Sequence, residues 1–392
     1  MKPPMIVLAG PTAVGKTRLS LALARAVDGE VISADSMQVY RHMDIGSAKI
    51  SKEQMQGIPH HMIDILDPWE PFNVVIFQQK CRECLKEVYG RGHVPIVTGG
   101  TGFYIQALLR DVDFNGTPGE RLATSHDHVE AEELAANQAV SPARDGTFPG
   151  TASAEGAAAE QAVSPARNDA FPGTASAEGA AAEQAVSPAQ DDAYRSALEQ
   201  LAARQGAEAL HEMLRRVDPA SAEAIHTNNV KRTIRALEFY HQTGQRISEH
   251  NERERQRESA YRSCYFVLTD DRETLYERID RRVDEMLAAG LVDEVRRLRE
   301  LGCHREMVSM QGLGYKEILA FLEGEIPYER AVEILKRDTR HFAKRQLTWF
   351  RREKDIIWVD RQDFPGREEE KEQAMLAFLL EKLREAGIMA GG

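Results

Sequence analysis

The chain has 392 residues, a formal net charge of −12 and only four cysteines, too few for a disulfide framework, and their spacing lacks a four-ligand zinc pattern. No signal-peptide cleavage pattern follows the short apolar N-terminus, and no run approaches the roughly 20 apolar residues of a membrane span. We therefore expect a cytoplasmic protein without membrane contact, and the acidic balance argues against a nucleic-acid partner, because polyanions attract lysine and arginine.

The first 119 residues alternate between short apolar runs and segments with helical spacing. Helical spacing predicts one helix over residues 17–27 and a second that begins after Asn73 and ends near Gly90. Strands that alternate with helices predict an α/β fold built on a parallel, doubly wound sheet. The apolar runs predict strands at residues 5–9, 31–33, 62–66 and 94–98.

An internal repeat interrupts this pattern. The string QAVSPAR begins at Gln138 and Gln161 and returns as QAVSPAQ at Gln184, a period of 23 residues. Each unit carries too little apolar surface to offset the entropy of ordering, so residues 120–193 are predicted to be a low-complexity, mostly disordered insertion. An alanine-rich helical hairpin is the alternative, although the Ser-Pro and Phe-Pro-Gly steps interrupt it in each copy.

The negative charge belongs mainly to this insertion. Residues 120–193 hold 13 acidic and 3 basic side chains, a net charge of −10, which leaves −2 for the rest of the chain. A nearly neutral remainder is compatible with nucleic acid, so the argument from overall charge fails once charge is assigned by segment.

The pattern after the repeat is mostly helical. Residues 194–258 are predicted to form a helical subdomain, followed by a strand at 264–268, helices over 271–352 and a last strand at 356–359. The predicted architecture is therefore one parallel-sheet core that is interrupted by the repeat and the helical subdomain. Its two parts are residues 1–119 and 259–392.

The sharpest chemical signal is GPTAVGKT, which fits the pattern G-x-x-x-x-G-K-[ST] and lies between a predicted strand and a predicted helix. In such a loop the glycines let backbone N–H groups converge on phosphate oxygens. Lys16 adds a point charge, and Thr17 offers a hydroxyl to a phosphate or a magnesium ion. A plain glycine-rich turn is the alternative. The predicted phosphate-binding residues are Gly10, Pro11, Thr12, Ala13, Val14, Gly15, Lys16 and Thr17.

Two further segments are expected at the same edge of the sheet. Asp35 follows the second predicted strand, on the carboxyl edge where α/β sheets bind ligands. It can serve as a general base, a magnesium ligand or a turn cap. Thr101 and Tyr104 lie in VTGGTGFY at 97–104, which fits either a ligand contact or a plain strand-to-helix turn.

Basic residues cluster in two places. Arg232 and Arg235 are three residues apart and share one predicted helix face. A second group, here called the basic strip, surrounds Trp349 and Phe350 and can bind a nucleic-acid backbone or form a solvated helix face. The basic strip comprises Lys336, Arg337, Arg340, Lys344, Arg345, Arg351, Arg352 and Lys354.

Cysteine and histidine pairs carry weaker signals. Cys81 and Cys84 form a C-x-x-C inside a predicted helix with no second pair, which disfavours a redox or zinc role. His60 and His61 precede a predicted strand and lack an HxxxH or HxH partner, so we expect them to fill turn or core positions.

Seven motifs, in chain order, resemble the motif series of bacterial tRNA dimethylallyltransferases, also called tRNA isopentenyltransferases. Ser47 and Ile50 stand where that family more often has threonine and proline, and Asn229 replaces a usual aspartate. The resemblance covers nearly the whole chain outside 120–193, and the repeat is not a family feature. The motifs are GPTAVGKT, ADSMQVYRHMDIGSAK, PHHMIDI, VTGGTGFYIQALL, HTNNVKRTIRALE, MQGLGYKEIL and AKRQLTWFRR.

The resemblance implies a P-loop NTPase-like core that transfers a dimethylallyl group from dimethylallyl diphosphate to tRNA. The acceptor would be the exocyclic amine of the adenosine immediately 3′ of the anticodon. The phosphate loop would bind diphosphate together with Mg²⁺, with Thr17 as the metal ligand, rather than ATP. We expect a monomer that binds the anticodon stem-loop.

Matching motif positions assign roles to single residues. Asp35 matches the family's general base, Thr101 its threonine near the tRNA and the diphosphate, and Arg232 a residue that stabilises the departing diphosphate. The tRNA contacts implied by the resemblance are Asp35, Ser36, Met37, Gln38, Thr101, Asn228, Asn229, Val230, Lys231 and Arg232.

Three alternative functions share part of this pattern. A small-molecule kinase would use the phosphate loop, an adenylate isopentenyltransferase would keep Asp35 but modify a free nucleotide, and a nucleotide switch would catalyse nothing. The sequence has no [NT]-K-x-D guanine motif and nothing that resembles a known second-substrate lid. An enzyme that modifies a free mononucleotide would not need the helical subdomain or the basic strip, so these features disfavour the adenylate isopentenyltransferase.

Overall fold

The structure, a computed structural model, describes residues 2–112, 114 and 192–389. The predicted disordered insertion at 120–193 lies outside these residues, except for its last two positions. In the described ranges, six strands form one sheet in the order β3-β2-β4-β1-β5-β6, and every neighbouring pair is parallel. The strands are β1 (Pro4–Ala9), β2 (Gly29–Ser33), β3 (His60–His61), β4 (Val94–Gly99), β5 (Arg262–Thr269) and β6 (Ile356–Asp360).

Helices account for most of the remaining described residues, and this arrangement confirms the α/β fold with a parallel sheet. Two short 3-10 helices cover Ser309–Gln311 and Arg361–Asp363. The α-helices are α1 (Lys16–Val27), α2 (Lys52–Met55), α3 (Val74–Gly90), α4 (Gly102–Leu109), α5 (Asp192–Gln205), α6 (Ala207–Val217), α7 (Pro219–Ala224), α8 (Val230–Thr243), α9 (Ile247–Gln256), α10 (Arg272–Ala288), α11 (Leu291–Glu300), α12 (Tyr315–Leu322), α13 (Tyr328–Phe350) and α14 (Glu368–Glu385).

The sheet is buried on both faces. Along β1, Met5 and Val7 belong to one apolar cluster, whereas Ile6 and Leu8 belong to a second cluster on the opposite face. Side chains alternate between the faces of a strand, so a strand covered on both sides reads as an unbroken apolar run. Because all strands are parallel, the loops that follow them meet at one edge of the sheet.

The helical segment α5–α9 packs around a core of its own. Leu198, Leu210, Leu214, Ile234 and Leu237 form an apolar cluster that is separate from the two clusters of the sheet. The segment is therefore stabilised by its own buried surface.

The end of α4 contacts the chain that leaves α9. The backbone N–H of Ala260 donates to the carbonyl oxygen of Leu109 at 2.8 Å. The Arg257 guanidinium donates to the carbonyl oxygen of Asp111, also at 2.8 Å. Points on either side of the helical segment thus lie side by side, as expected for a unit inserted into a continuous core.

One predicted strand is wrong. Residues 62–66 contribute only an isolated bridge between Leu66 and Tyr40, and the strand lies earlier, at His60–His61, in register with β2. The physical reason is that Met62 and Asp64 have φ angles of 63° and 55°, a left-handed conformation that ends an extended run.

The remaining predicted elements of the described ranges lie within a few residues of their observed bounds. Asn73 caps α3 as predicted, because its side-chain oxygen accepts from the N–H groups of Val75 and Ile76 at 3.0 Å each. No helix in the described part of the chain combines the length and apolar composition that crossing a bilayer requires.

Candidate active site

The phosphate loop connects β1 to α1 at the carboxyl edge of the sheet. Its curl needs positive φ angles at Gly10 (147°), Ala13 (64°) and Gly15 (100°), a region that favours glycine. A Cβ on Gly10 would lie 2.7 Å from the carbonyl oxygen of Leu268, so that glycine is also required by close packing. The loop therefore has the conformation that the motif predicts.

The Lys16 ammonium folds back onto its own loop. Its Nζ donates to the carbonyl oxygens of Gly10 at 2.9 Å and Pro11 at 2.7 Å. Burial of the ammonium, aided by the nearby positive charge of Arg282 and opposed by Asp35, lowers the pKa of Lys16 to about 7. A phosphate anion would offset that burial and restore full protonation.

A cleft of about 880 Å³ opens beside this loop. The Asp35 carboxylate enters it just after β2, where its Oδ1 accepts from the backbone N–H of Met37 at 2.8 Å. The cleft thus brings a cationic phosphate loop together with a carboxylate, as the sequence predicts. The predicted site residues that line it are Thr12, Ala13, Gly15, Lys16, Thr17, Asp35 and Gln38.

Three arginines of α10 also line the cleft, and sequence reasoning missed them. Arg278, Arg281 and Arg282 have the i, i+3, i+4 spacing that places side chains on one helix face. Burial lowers the pKa of Arg282, while the negative charge of Asp35 acts in the opposite direction. The spacing was the available signal, but only the fold shows that this face is turned toward the phosphate loop.

Helix α13 braces two glycine turns. The Gln346 side chain accepts from the backbone N–H of Thr12 at 3.0 Å, and its Nε2 lies only 2.0 Å from where a Cβ on Gly100 would be. At Gly102 an added Cβ would meet the Trp349 ring at 2.1 Å. Gly100 and Gly102 of VTGGTG are therefore required by the approach of α13. Sequence reasoning missed Gln346 because glutamine, unlike the lysine and arginines of the same motif, is not a residue type typical of phosphate binding.

Thr101 and the segment 228–232 do not line the cleft. Thr101 is buried at the start of α4, next to Gly100, which does line it. Asn229 caps α8 by accepting from the N–H of Arg232 at 3.3 Å, so asparagine serves as the N-cap here. Lys231 and Arg232 are exposed on the helical segment.

The basic strip divides into paired and solvent-facing cations. Lys336 and Arg340 pair with Asp284 and Asp280 of α10, and Arg337 pairs with its neighbour Asp338. Phe350 is buried in the core and Trp349 packs edge-on against Phe103. Arg337 is exposed despite its pair, and the other exposed cations of the strip are Lys344, Arg345, Arg351, Arg352 and Lys354.

Metal binding at this cleft would depend on the substrate. No group of three histidine, cysteine, aspartate or glutamate side chains in the described ranges could hold a metal ion unaided. Thr17 and Asp35 nevertheless supply hard oxygen atoms to the cleft. Such a set suits Mg²⁺, which commonly binds one or two protein oxygens together with substrate phosphates.

The parallel sheet with a glycine-rich loop at its carboxyl edge has the architecture of P-loop-like α/β proteins. The sequence profile described as IPP transferase matches residues 38–144 and 175–353. The profile described as isopentenyl transferase matches residues 4–65. The chain belongs to the IPP transferase family.

Individual relatives agree with this assignment. The chain is 48% identical over 361 residues to the tRNA dimethylallyltransferase of Lachnoclostridium phytofermentans, covering 92% of this chain and 93% of the relative. It is 40% identical over 380 residues to the enzyme of the same name from Geobacillus thermodenitrificans, covering 97% of each.

Solved structures show the same fold. The full-length tRNA isopentenylpyrophosphate transferase of Bacillus halodurans superposes with a TM-score of 0.60 at 35% identity, covering 99% of this chain and 98% of that chain. A eukaryotic dimethylallyltransferase described as acting on tRNA superposes with a TM-score of 0.62 at 26% identity. The match covers 91% of this chain and 74% of that chain. The resemblance inferred from the seven motifs is thus confirmed.

Proposed function

We propose that this chain is a tRNA dimethylallyltransferase. It transfers a dimethylallyl group from dimethylallyl diphosphate to the exocyclic amine of the adenosine immediately 3′ of the anticodon and releases diphosphate. Family membership supports this activity. The structural observation that supports it is that Lys16, Thr17 and Asp35 line one cleft, which brings the lysine of the glycine-rich loop together with a carboxylate.

The phosphate loop binds the diphosphate of the donor. Its N–H groups and the Lys16 ammonium contact the phosphate oxygens, and Lys16 exchanges its bonds to loop carbonyls for bonds to the anion. As the carbon–oxygen bond breaks, negative charge grows on the leaving diphosphate. Lys16 and Arg282, both in the cleft, stabilise that charge.

Asp35 acts as the general base. An adenine exocyclic amine is a weak nucleophile because its lone pair is delocalised into the ring. The new nitrogen–carbon bond forms as the carbon–oxygen bond to diphosphate breaks, and the amine proton passes to the Asp35 carboxylate. The hydrogen bond from the Met37 N–H keeps that carboxylate oriented at the end of β2.

Mg²⁺ is the proposed cofactor, with the Thr17 hydroxyl as a protein ligand. When bound, it neutralises part of the charge on the diphosphate. The Thr17 hydroxyl could hold such an ion only together with the phosphate oxygens of the donor, and Asp35 keeps its role in proton transfer.

The proposed tRNA contacts are those that the family resemblance implies. An adenosine in a stacked anticodon loop must turn out of the stack to reach the cleft. Gln38 already lines it, and Asp35, Ser36, Met37, Thr101 and residues 228–232 complete the proposed contacts. Arg232 is exposed on α8, so its contact with diphosphate would require α8 to approach the loop. We expect the chain to act as a monomer.

Donor and acceptor specificity test this function. Radiolabelled dimethylallyl diphosphate is incubated with the full chain and either unmodified tRNA or AMP, and ATP hydrolysis is followed in parallel. We expect label in tRNA and none in AMP. Labelling of AMP alone would indicate an adenylate isopentenyltransferase, and ATP turnover without prenyl transfer would indicate a kinase.

A further inference from the structure

A buried arginine lies behind the phosphate loop. Arg361 begins the short 3-10 helix that follows β6, and at 1% exposure it is the largest fully buried side chain of the described residues. Arginine is almost never fully buried unless it is paired. Neither the seven motifs nor the proposed mechanism gives this residue a role.

Arg361 contacts the loop at its tightest point. Its Nη1 donates to the carbonyl oxygen of Val14 at 3.3 Å, and the same nitrogen lies 2.9 Å from where a Cβ on Gly15 would be. Gly15 has a φ angle of 100° and lines the cleft, whereas Arg361 does not. The guanidinium therefore supports the curl of the loop without reaching the ligand space.

Two carboxylates hold Arg361 in place. Its Nε lies 3.2 Å from the Asp270 carboxylate, just beyond β5, and its Nη2 pairs with Glu368 at the start of α14. Arg278, which lines the cleft, pairs with the same two carboxylates at 3.2 and 2.7 Å. Two arginines and two carboxylates thus form a closed network between the C-terminal elements and the phosphate site.

We propose that Arg361 is a positioning residue for the phosphate loop: it fixes the loop at Val14 and Gly15 in the curled conformation that binds the substrate diphosphate. A loop whose N–H groups already converge loses less entropy when an anion binds. The identity of the ligand rests on the proposed function, but the contact between Arg361 and the loop does not.

The proposal predicts an effect confined to the donor. Because Arg361 touches the loop and no surface proposed for tRNA, its loss should raise KM for dimethylallyl diphosphate and leave KM for tRNA nearly unchanged. A purely structural arginine would lower thermal stability without this separation of the two KM values.

Calorimetric titration of the full-length chain with inorganic diphosphate tests the proposal. We expect Arg361→Met to weaken the Kd about 5- to 20-fold, and Arg361→Lys to recover part of the loss, because one ammonium cannot make all three contacts. Arg91→Met is the matched control. Arg91 pairs at 2.8 Å with the buried Glu30 near the start of β2, at the end of the strands away from the phosphate loop. The loss of Arg91 should therefore lower Tm and leave the Kd for diphosphate unchanged.

Each result has a defined reading. Equal Kd values for Arg361→Met and Arg91→Met would overturn the proposal. If Arg361→Met does not fold, Arg361→Lys replaces it, and wild-type Kd and KM values for that variant would also overturn the proposal. Absence of diphosphate binding by the wild-type chain would also overturn it. Diphosphate binding without prenyl transfer to tRNA would contradict only the proposed function.

Discussion

Asp35 carries the proton transfer of the proposed reaction, and its environment in the cleft suits that role. We predict that Asp35→Asn lowers kcat by about 10²- to 10⁴-fold, because an amide cannot accept the amine proton. The Kd for inorganic diphosphate should change little, since the phosphate loop is intact. Single-turnover transfer of labelled donor to tRNA, together with calorimetry, measures both quantities.

Asp28→Asn is the matched control for this variant. Asp28 is an exposed carboxylate at the end of α1, on the edge of the sheet away from the cleft, with a φ angle of 50° that asparagine also tolerates. Its substitution should leave turnover unchanged. Wild-type turnover in Asp35→Asn would remove Asp35 from the mechanism.

The lowered pKa of Lys16 predicts that donor binding depends on pH. Its pKa of about 7 in the folded chain lies below the usual 10.5, so the folded state binds fewer protons than the unfolded state between these values. The cost of burying its charge is therefore largest below pH 7 and is relieved as pH rises. A bound diphosphate reverses this shift, so affinity should fall as pH rises above 7.

Proton uptake on binding measures the coupling between diphosphate binding and protonation of Lys16. Titration with inorganic diphosphate near pH 8, in buffers that differ in ionisation enthalpy, should show uptake of a proton that the ligand's own titration does not explain. Lys16→Arg is the control, because a guanidinium stays protonated. Equal uptake in the wild type and in Lys16→Arg would contradict the role assigned to the Lys16 pKa.

The sequence predicts those site residues that are contiguous in the chain. The phosphate loop is specified by eight neighbouring positions, and Asp35 by its place after a strand. Gln346 and Arg361 reach the same loop from positions 334 and 347 residues away in the chain. Glutamine and arginine have many roles in proteins, so no local pattern marks these two.

At the scale of elements, a carboxylate on α11 holds one wall of the cleft. Glu294 is 2% exposed and accepts from the backbone N–H groups of Asp44, Ile45 and Gly46 at 2.8–3.0 Å. It also accepts from the Tyr315 hydroxyl at 2.8 Å. The adjacent residues 47–50 line the cleft.

We predict that Glu294→Ala lowers the free energy of unfolding by about 2–4 kcal/mol, because three backbone N–H groups and the Tyr315 hydroxyl lose their acceptor. It should also raise KM for tRNA, since Gln38 contacts this wall through the Ser47 carbonyl. Urea unfolding and steady-state kinetics measure the two effects.

Asp293→Ala is the control on the same helix. That carboxylate is 63% exposed and pairs with Arg296 on the surface, so its loss should leave both quantities near wild type. Equal unfolding midpoints for the two variants would contradict the role given to Glu294.

Element prediction succeeds where burial imposes a pattern. Strands β1 and β4 are covered on both faces and read as apolar runs, which made their positions predictable. The two-residue edge strand β3 consists of His60 and His61, for which turn or core positions were expected. The apolar stretch 62–66 begins with a bend that has left-handed φ angles at Met62 and Asp64. Local composition therefore pointed to the wrong stretch.

At the scale of the whole molecule, we expect the repeat to be dispensable for the activity. The IPP transferase profile matches on both sides of residues 145–174 and leaves that stretch unmatched. Lengthening a loop raises its closure entropy only slowly. We predict that deleting 145–174 leaves kcat and both KM values unchanged in the tRNA assay.

In a control variant, residues 145–174 are replaced by a glycine-serine sequence of equal length. This variant keeps the number of residues between the two flanking segments. Retained activity in this variant and loss in the deletion would show that the spacing matters. Loss of activity in both variants would show that the repeat sequence itself contributes, contrary to our expectation.

The most direct test of the proposed function is to locate the transferred group. Unmodified tRNA is incubated with the chain, dimethylallyl diphosphate and Mg²⁺, then digested and analysed by mass spectrometry. We predict a dimethylallyl group on the exocyclic amine of the adenosine immediately 3′ of the anticodon, and none on a transcript with guanosine at that position. Modification elsewhere, or an unmodified tRNA, would contradict the assignment of this cleft to prenyl transfer.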